Sequence, residues 1–210
     1  MKGLYAAIGA LAIFLSACVT GDEITSYVID HDGTIAFSIY RLNLTSGQQG
    51  EKAKTELSQY IRDLKKNPSK RFAKANARDL KVTILRRISP ASVLITGRFP
   101  SLNDFAANLT EEDGESRLVC TPIGKERTRG FLIEYTQKPQ KENTPAAATK
   151  PRADSFEETR IALAEGTFTM AQGFILSQDK RSALLDVDTL SKMANSRVSP
   201  IMLSLEWQIP

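Results

Sequence analysis

The dipeptide Asp32-Gly33 stands between two stretches of alternating side chains. Before it, Ile24 to Asp30 reads as a strand. After it, Ile35, Phe37 and Ile39 share one face while Ala36, Ser38 and Tyr40 take the other. Asp-Gly tolerates the positive φ that a short hairpin turn demands, so the two strands are expected to run antiparallel. A hairpin this close to the start of the fold commits the chain to antiparallel sheet. It argues against the strand–helix alternation of a doubly wound parallel fold.

The rest of the chain extends that pattern. In Gln48 to Lys66, Ala53, Leu57, Tyr60, Ile61 and Leu64 recur at spacings of three and four, which predicts one long amphipathic helix. Glu51 near its start and Lys65 and Lys66 near its end suit the helix dipole, and Pro68 prevents continuation. Leu80, Val82, Ile84 and Ile88 alternate with Lys81, Thr83 and Arg87 as a half-buried strand, and Val93 to Phe99 returns beside it. A short helix is expected over Leu102 to Leu109, then a hairpin from Arg117 to Ile123 and Gly130 to Thr136. Phe168 to Ser177 and Ala183 to Val187 read as two strands, and Thr189 to Asn195 as a short helix. Residues 156–165 fit either helix or strand. Ile201, Leu203, Leu205 and Trp207 alternate with Met202, Ser204 and Glu206 in a closing strand.

The segment 138–154 differs in composition: it holds three prolines, many charges and few large apolar residues. It reads as a flexible insertion. The 56 residues that follow are few for a separate core. The closing strand must also pair with an earlier sheet. A single α+β domain over 24–210 is therefore expected: an antiparallel sheet of β-hairpins, with the 48–66 helix packed on one face.

The N-terminus is of another kind. Lys2 precedes an uncharged, mostly apolar run from Leu4 to Ala17, 14 residues long, which is short for a membrane span of about 20 residues. The run ends in Leu15-Ser16-Ala17-Cys18. This resembles the lipobox of bacterial lipoproteins. The resemblance implies that 1–17 is a signal peptide removed before Cys18, that the Cys18 sulfur carries diacylglycerol, and that the new amine is often acylated. Two or three acyl chains hold a protein stably where one does so marginally. Residues 18–23 would then be a lipidated tether, reaching at most roughly 18 Å from residue 19 onward. Val19 stands where an Asp would resemble an inner-membrane retention mark. Its presence implies the outer membrane, facing the periplasm, in a Gram-negative cell.

Other features bound the chemistry. With Cys18 lipidated, Cys120 has no cysteine to pair with. On alternation it shares a face with Leu118, no His or basic pair flanks it, and it reads as a small buried hydrophobe. The chain has one histidine, which excludes a zinc site built on several. The formal charge is +4, falling to +3 once Lys2 is removed, too mild to signal nucleic-acid binding. Arg62, Lys65, Lys66, Lys70, Arg71 and Lys74 nonetheless form a basic run that reads as a solvated helix end or as a face for anionic headgroups or an acidic partner. No aromatic residues interleave with it as stacking platforms for bases. Tyr60, Phe131, Tyr135 and Trp207 fall at core spacings.

Tyr27-Val28-Ile29-Asp30-His31-Asp32-Gly33-Thr34 resembles the first motif of haloacid dehalogenase-like phosphatases, an apolar strand followed by Asp-x-Asp-Gly-Thr. There the first Asp is the nucleophile, the second a general acid, and Mg²⁺ bridges carboxylate and phosphate. Ser92 to Thr96 is similar to that family's second motif. Yet Ala36 to Leu42 alternates as a strand where the family has a loop or helix, and Asp186 and Asp188 lack the setting of its metal-holding pair. The residues themselves favour a hairpin turn, with His31 an exposed turn histidine. The expected function is accordingly non-catalytic: a membrane-anchored envelope lipoprotein with a binding or structural role, without cofactor or metal, partnered by the membrane through Cys18 and by an envelope protein. The alternatives are a carrier of a lipid or small hydrophobic ligand, and a phosphatase using Asp30 and Asp32.

Overall fold

The computed structural model describes residues 19–68, 72, 75–112, 116–125, 127–137, 157–186 and 200–208. Cys18 and the signal segment, Lys70, Arg71, Lys74, the 138–154 insertion and the 189–195 helix expectation lie outside them.

β1 (Val19–Ile29) and β2 (Ile35–Ser46) pair antiparallel, with Tyr27 opposite Phe37 and Ile29 opposite Ile35. The turn between them is closed by Asp30 N donating to Thr34 O at 2.9 Å and Gly33 N to Asp30 O at 3.0 Å. Gly33 takes φ +84°, which explains glycine there. β1 begins at Val19, opposite Ser46, so residues 19–23 are paired strand and not the expected tether. The tether followed from the position of these residues just after Cys18, but partners along β2 satisfy their backbone.

β2 bulges between Arg41 and Leu44, where Asn43 adopts φ +52° and donates from Nδ2 to Asp22 Oδ2 at 2.6 Å. The extra residue returns Leu44 to the face that holds Ile39 and Arg41. α1 (Gly50–Lys66) follows, starting two residues later than the spacing predicted, with Gln49 as its N-cap. β3 (Arg78–Arg86) and β4 (Ala91–Phe99) form the next antiparallel pair. β3 ends before Ile88, which the alternation placed on the buried face and which is 72% exposed. A register shift between Ile84 and Arg86 breaks the alternation there.

α2 (Leu102–Leu109) is capped by Ser101, whose Oγ accepts from Asp104 N. β5 (Glu111–Glu112), β6 (Ser116–Lys125) and β7 (Thr128–Gln137) pair in sequence order. β8 (Glu157–Leu163) resolves the ambiguity at 156–165 in favour of strand. The expected single strand 168–177 is two, β9 (Thr167–Gln172) and β10 (Phe174–Leu176), broken at Gly173 with φ +79°. β11 (Ser182–Leu185) and β12 (Ile201–Gln208) complete the described strands.

These elements make a mostly β fold with two helices and two sheets, where one sheet was expected. The larger sheet has the order β10-β11-β8-β1-β2-β4-β3 and the smaller β5-β6-β7-β12-β9. The larger sheet is mixed, because β8 runs parallel to β1, with Ile29 beside Leu163. Alternation reports which face a side chain takes but not which strand lies alongside or in which direction, so both features escaped the sequence.

The inner face of the larger sheet is shared by two covers. Tyr27, Ile29, Ile35, Phe37, Ile39, Ile95 and Phe99 pack with Phe131, Ile133, Leu203, Leu205 and Trp207 of the smaller sheet in one core. Further along the same face, α1 seats Leu57, Tyr60 and Ile61 on Leu44, Ala91 and Val93 as a second, smaller cluster. The helix therefore covers one end of the face rather than the whole of it. Phe105 of α2 joins the layers, 4.9 Å from Tyr27, 5.9 Å from Phe99 and 5.7 Å from Phe131 between ring centroids.

Candidate functional site

The β1–β2 turn that closes one end of the sandwich also borders a cleft of about 440 Å³. Four other places contribute: Pro100 to Asn103 entering α2, Pro122 to Gly124 at the end of β6 with Arg129 of β7, Leu163 and Glu165 at the end of β8, and Trp207 of β12. Ile29, Leu163 and Trp207 are buried and give the cleft apolar walls. Asp30, His31, Asp32, Glu165 and Arg129 give it charge.

The turn residues are tied locally. His31 Nδ1 lies 2.7 Å from Asp30 Oδ1, which also accepts the His31 backbone N–H at 2.8 Å. Asp32 Oδ1 accepts from Thr34 N at 2.8 Å and Thr34 Oγ1 at 2.7 Å, the pattern by which Asp shapes a turn. Those two bonds hold the Asp32 carboxyl below its ordinary range. The Asp30 hydrogen bond and charge raise His31 above its ordinary value near 6.5, with smaller contributions from Glu165 and Asp32.

A titration follows from this pair. His31 is expected to titrate above 6.5, and Asp30→Asn to bring it back toward that value, read from the imidazole proton shifts by NMR. Because the folded value is raised, whatever stability the pair contributes is present below pH 6.5 and is lost as pH rises through the raised value. Equal titration of wild type and Asp30→Asn would refute the pairing.

Asp30 and Asp32 of the phosphatase-like motif do come to a cleft, and Asp30 does follow the parallel pair β1/β8. The strand after the motif, however, is β2, hydrogen-bonded back along β1, where that family's fold continues into a loop or helix. The carboxylates serve the turn and His31. Among the described residues no group of three or more His, Cys, Asp or Glu is arranged to hold a metal ion. The cleft is also more charged than the apolar cavity a lipid carrier requires.

Of the basic run, Arg62, Lys65 and Lys66 are exposed at the end of α1. Ser46, at the end of the sheet where β1 starts, donates from its Oγ to Glu56 of α1, and Arg62 to Lys66 lie about 9–15 Å further along the helix axis. Cys120 is buried against the core, its burial pushing the thiol up to about 12, which makes it inert at neutral pH. Arg129 and Glu165 of the cleft were not anticipated. Glu165 follows a strand whose partner the sequence did not reveal, and Arg129 stands one residue before the strand expected at Gly130.

One charged pair lies inside the fold. Arg41 Nε meets Glu23 Oε2 at 2.8 Å with both side chains close to nine-tenths buried. Arg41 also donates to the Tyr60 hydroxyl of α1, and its guanidinium stands 5.8 Å from that ring's centroid. The pair fixes α1 to the sheet.

No family model matches the chain, and no curated protein matches it. Among solved structures it is similar to the NMR structure of the folded domain of Mycobacterium tuberculosis LppM, at 8% identity over 93% of this chain and 92% of that one, with a TM-score of 0.45.

Proposed function

We propose that this chain is a lipid-anchored protein of the bacterial envelope whose sandwich serves a non-catalytic binding role. The observation that carries the proposal is the run Leu15-Ser16-Ala17-Cys18 placed directly before a strand. Val19 is already paired with Ser46, so an acyl group on Cys18 would hold one end of the sheet against the bilayer with almost no slack. β1 then leads away from that end to the cleft. Its 11 residues span about 33 Å at the usual strand rise. The cleft would face the aqueous compartment, where a soluble ligand or an envelope protein could reach it.

Val19 after Cys18, in place of Asp, favours the outer membrane and a periplasmic domain in a Gram-negative cell. The charged and apolar walls of the cleft suit a small polar ligand or a partner's side chains better than an acyl chain. The anchor is tested by fractionation. Wild type is expected in the membrane pellet, resistant to high salt, and Cys18→Ser in the soluble fraction or unprocessed. A Cys18→Ser chain that stays in the membrane with its first 17 residues removed would overturn the lipid anchor.

A further inference from the structure

The end of β3 and the turn that leads to β4 carry two large apolar side chains in water beside two arginines. Ile88 is 72% exposed and Leu85 50%. Arg86 and Arg87 between them are exposed as well. The stretch from Ile84 to Ala91 contains no acidic residue. A single exposed apolar residue is ordinary on a protein surface. The position of this group is what gives it meaning.

Three strand registers fix that position. Val19 of β1 pairs with Ser46 of β2, Leu44 of β2 with Ala91 of β4, and Ser92 of β4 with Arg86 of β3. The turn 87–90 therefore projects from the end of the sheet at which β1 starts. Ser46 lies two residues past Leu44, and the turn reaches about as far past Ala91. Its tip thus ends roughly level with Val19, two to three strands away, or about 10–15 Å to the side. A bilayer that held a lipid on Cys18 would meet this tip.

We infer that Leu85-Arg86-Arg87-Ile88 is a second membrane contact of the anchored domain, an inference that rests on the lipid-anchor reading. Ile88 enters the boundary between headgroups and acyl chains, Arg86 and Arg87 lie against anionic headgroups, and Leu85 stands behind them on β3. An anchor at one point leaves a domain free to tilt about it. A second contact on the same end of the sheet sets the domain upright, with the cleft at the far end of β1. The basic residues suited to this role are those of the tip, and not Arg62, Lys65 and Lys66, which α1 carries away from the anchored end.

The test places an indole at the tip. Full-length, processed protein carrying Ile88→Trp is reconstituted into vesicles of phosphatidylethanolamine and phosphatidylglycerol with brominated acyl chains. Ile175→Trp, an exposed site on β10 away from this end, is the control. Trp207 is buried and contributes the same background to both. The Ile88→Trp emission is expected to shift to the blue and be quenched by bromine, the Ile175→Trp emission to do neither. Adding Arg86→Ser and Arg87→Ser is expected to reduce the quenching. The mass of the Cys18 peptide is read on the same sample. Acylated Cys18 with an unquenched Ile88→Trp indole would overturn the tip contact and leave the anchor standing. Unmodified Cys18 would overturn the anchor, while quenching would still decide the tip.

Discussion

Phe105→Ala is expected to lower the unfolding free energy by about 3–5 kcal/mol, the range for emptying a well-packed aromatic site. Phe105 is 1% exposed and touches rings of both sheets: Tyr27 and Phe99 on one side, Phe131 on the other. These neighbours belong to two sheets and cannot close over the gap without moving the layers together. Domains of this size are stable by about 5–15 kcal/mol, so the variant would be left near the margin. Phe105→Leu keeps most of the volume and should lose far less. The urea midpoint measures both. A loss below about 1 kcal/mol for Phe105→Ala would mean that α2 does not join the layers as described.

Arg41→Met is expected to cost about 3–5 kcal/mol, because it removes the guanidinium from a largely buried carboxylate. Glu23 would keep its hydrogen bond from Thr25 Oγ1, at 3.4 Å a weak one. The double variant Glu23→Leu, Arg41→Met is expected to recover most of the loss, or to exceed wild type, since neither charge then needs desolvating. The double-mutant cycle, read by urea unfolding, isolates the coupling. Additive losses from the two single variants would show that the pair does not act as a unit. Tyr60 links this pair to α1, so loosening of α1 should accompany the Arg41→Met loss and be visible in amide exchange of residues 57–64.

Much of the local structure was legible in the residues. The Asp32-Gly33 turn, the alternation on either side of it, the spacing of Leu57, Tyr60 and Ile61 and the closing strand all correspond to described elements. Their partners were not legible. Ile161 and Leu163 alternate well enough, but nothing in them says that they lie parallel to Tyr27 and Ile29. Gly173 divides one expected strand between two sheets, and its role emerges only from its positive φ. A tether at 19–23 followed from the neighbouring Cys18, and nothing in those residues shows that they pair with the far end of β2.

The Glu23–Arg41 pair does have a signal in the sequence. Counting outward from the Asp32-Gly33 turn, Tyr27 meets Phe37, Thr25 meets Ile39 and Glu23 meets Arg41. Opposite charges at core parity, in register across one hairpin, predict a buried pair. The cleft had no such signal, because its walls come from five separated stretches. Asp30, His31 and Asp32 were noticed for a resemblance to a phosphatase motif, whereas the structure gives them to a turn. Arg87 and Ile88 fit the alternation of the strand before them, and only the register of β4 on β2 shows that they reach the end of the sheet where β1 begins.

The proposed lipid on Cys18 underlies the proposed orientation of the sandwich, the outward placing of the cleft and the membrane contact inferred for the β3–β4 turn. The mass of the N-terminal peptide of the mature protein, released from membranes by protease, tests it most directly. A peptide that begins at Cys18 and carries a diacylglycerol, with or without a third acyl chain on the amine, is the predicted result. An unmodified Cys18, or a peptide still extending back to Met1, would contradict it.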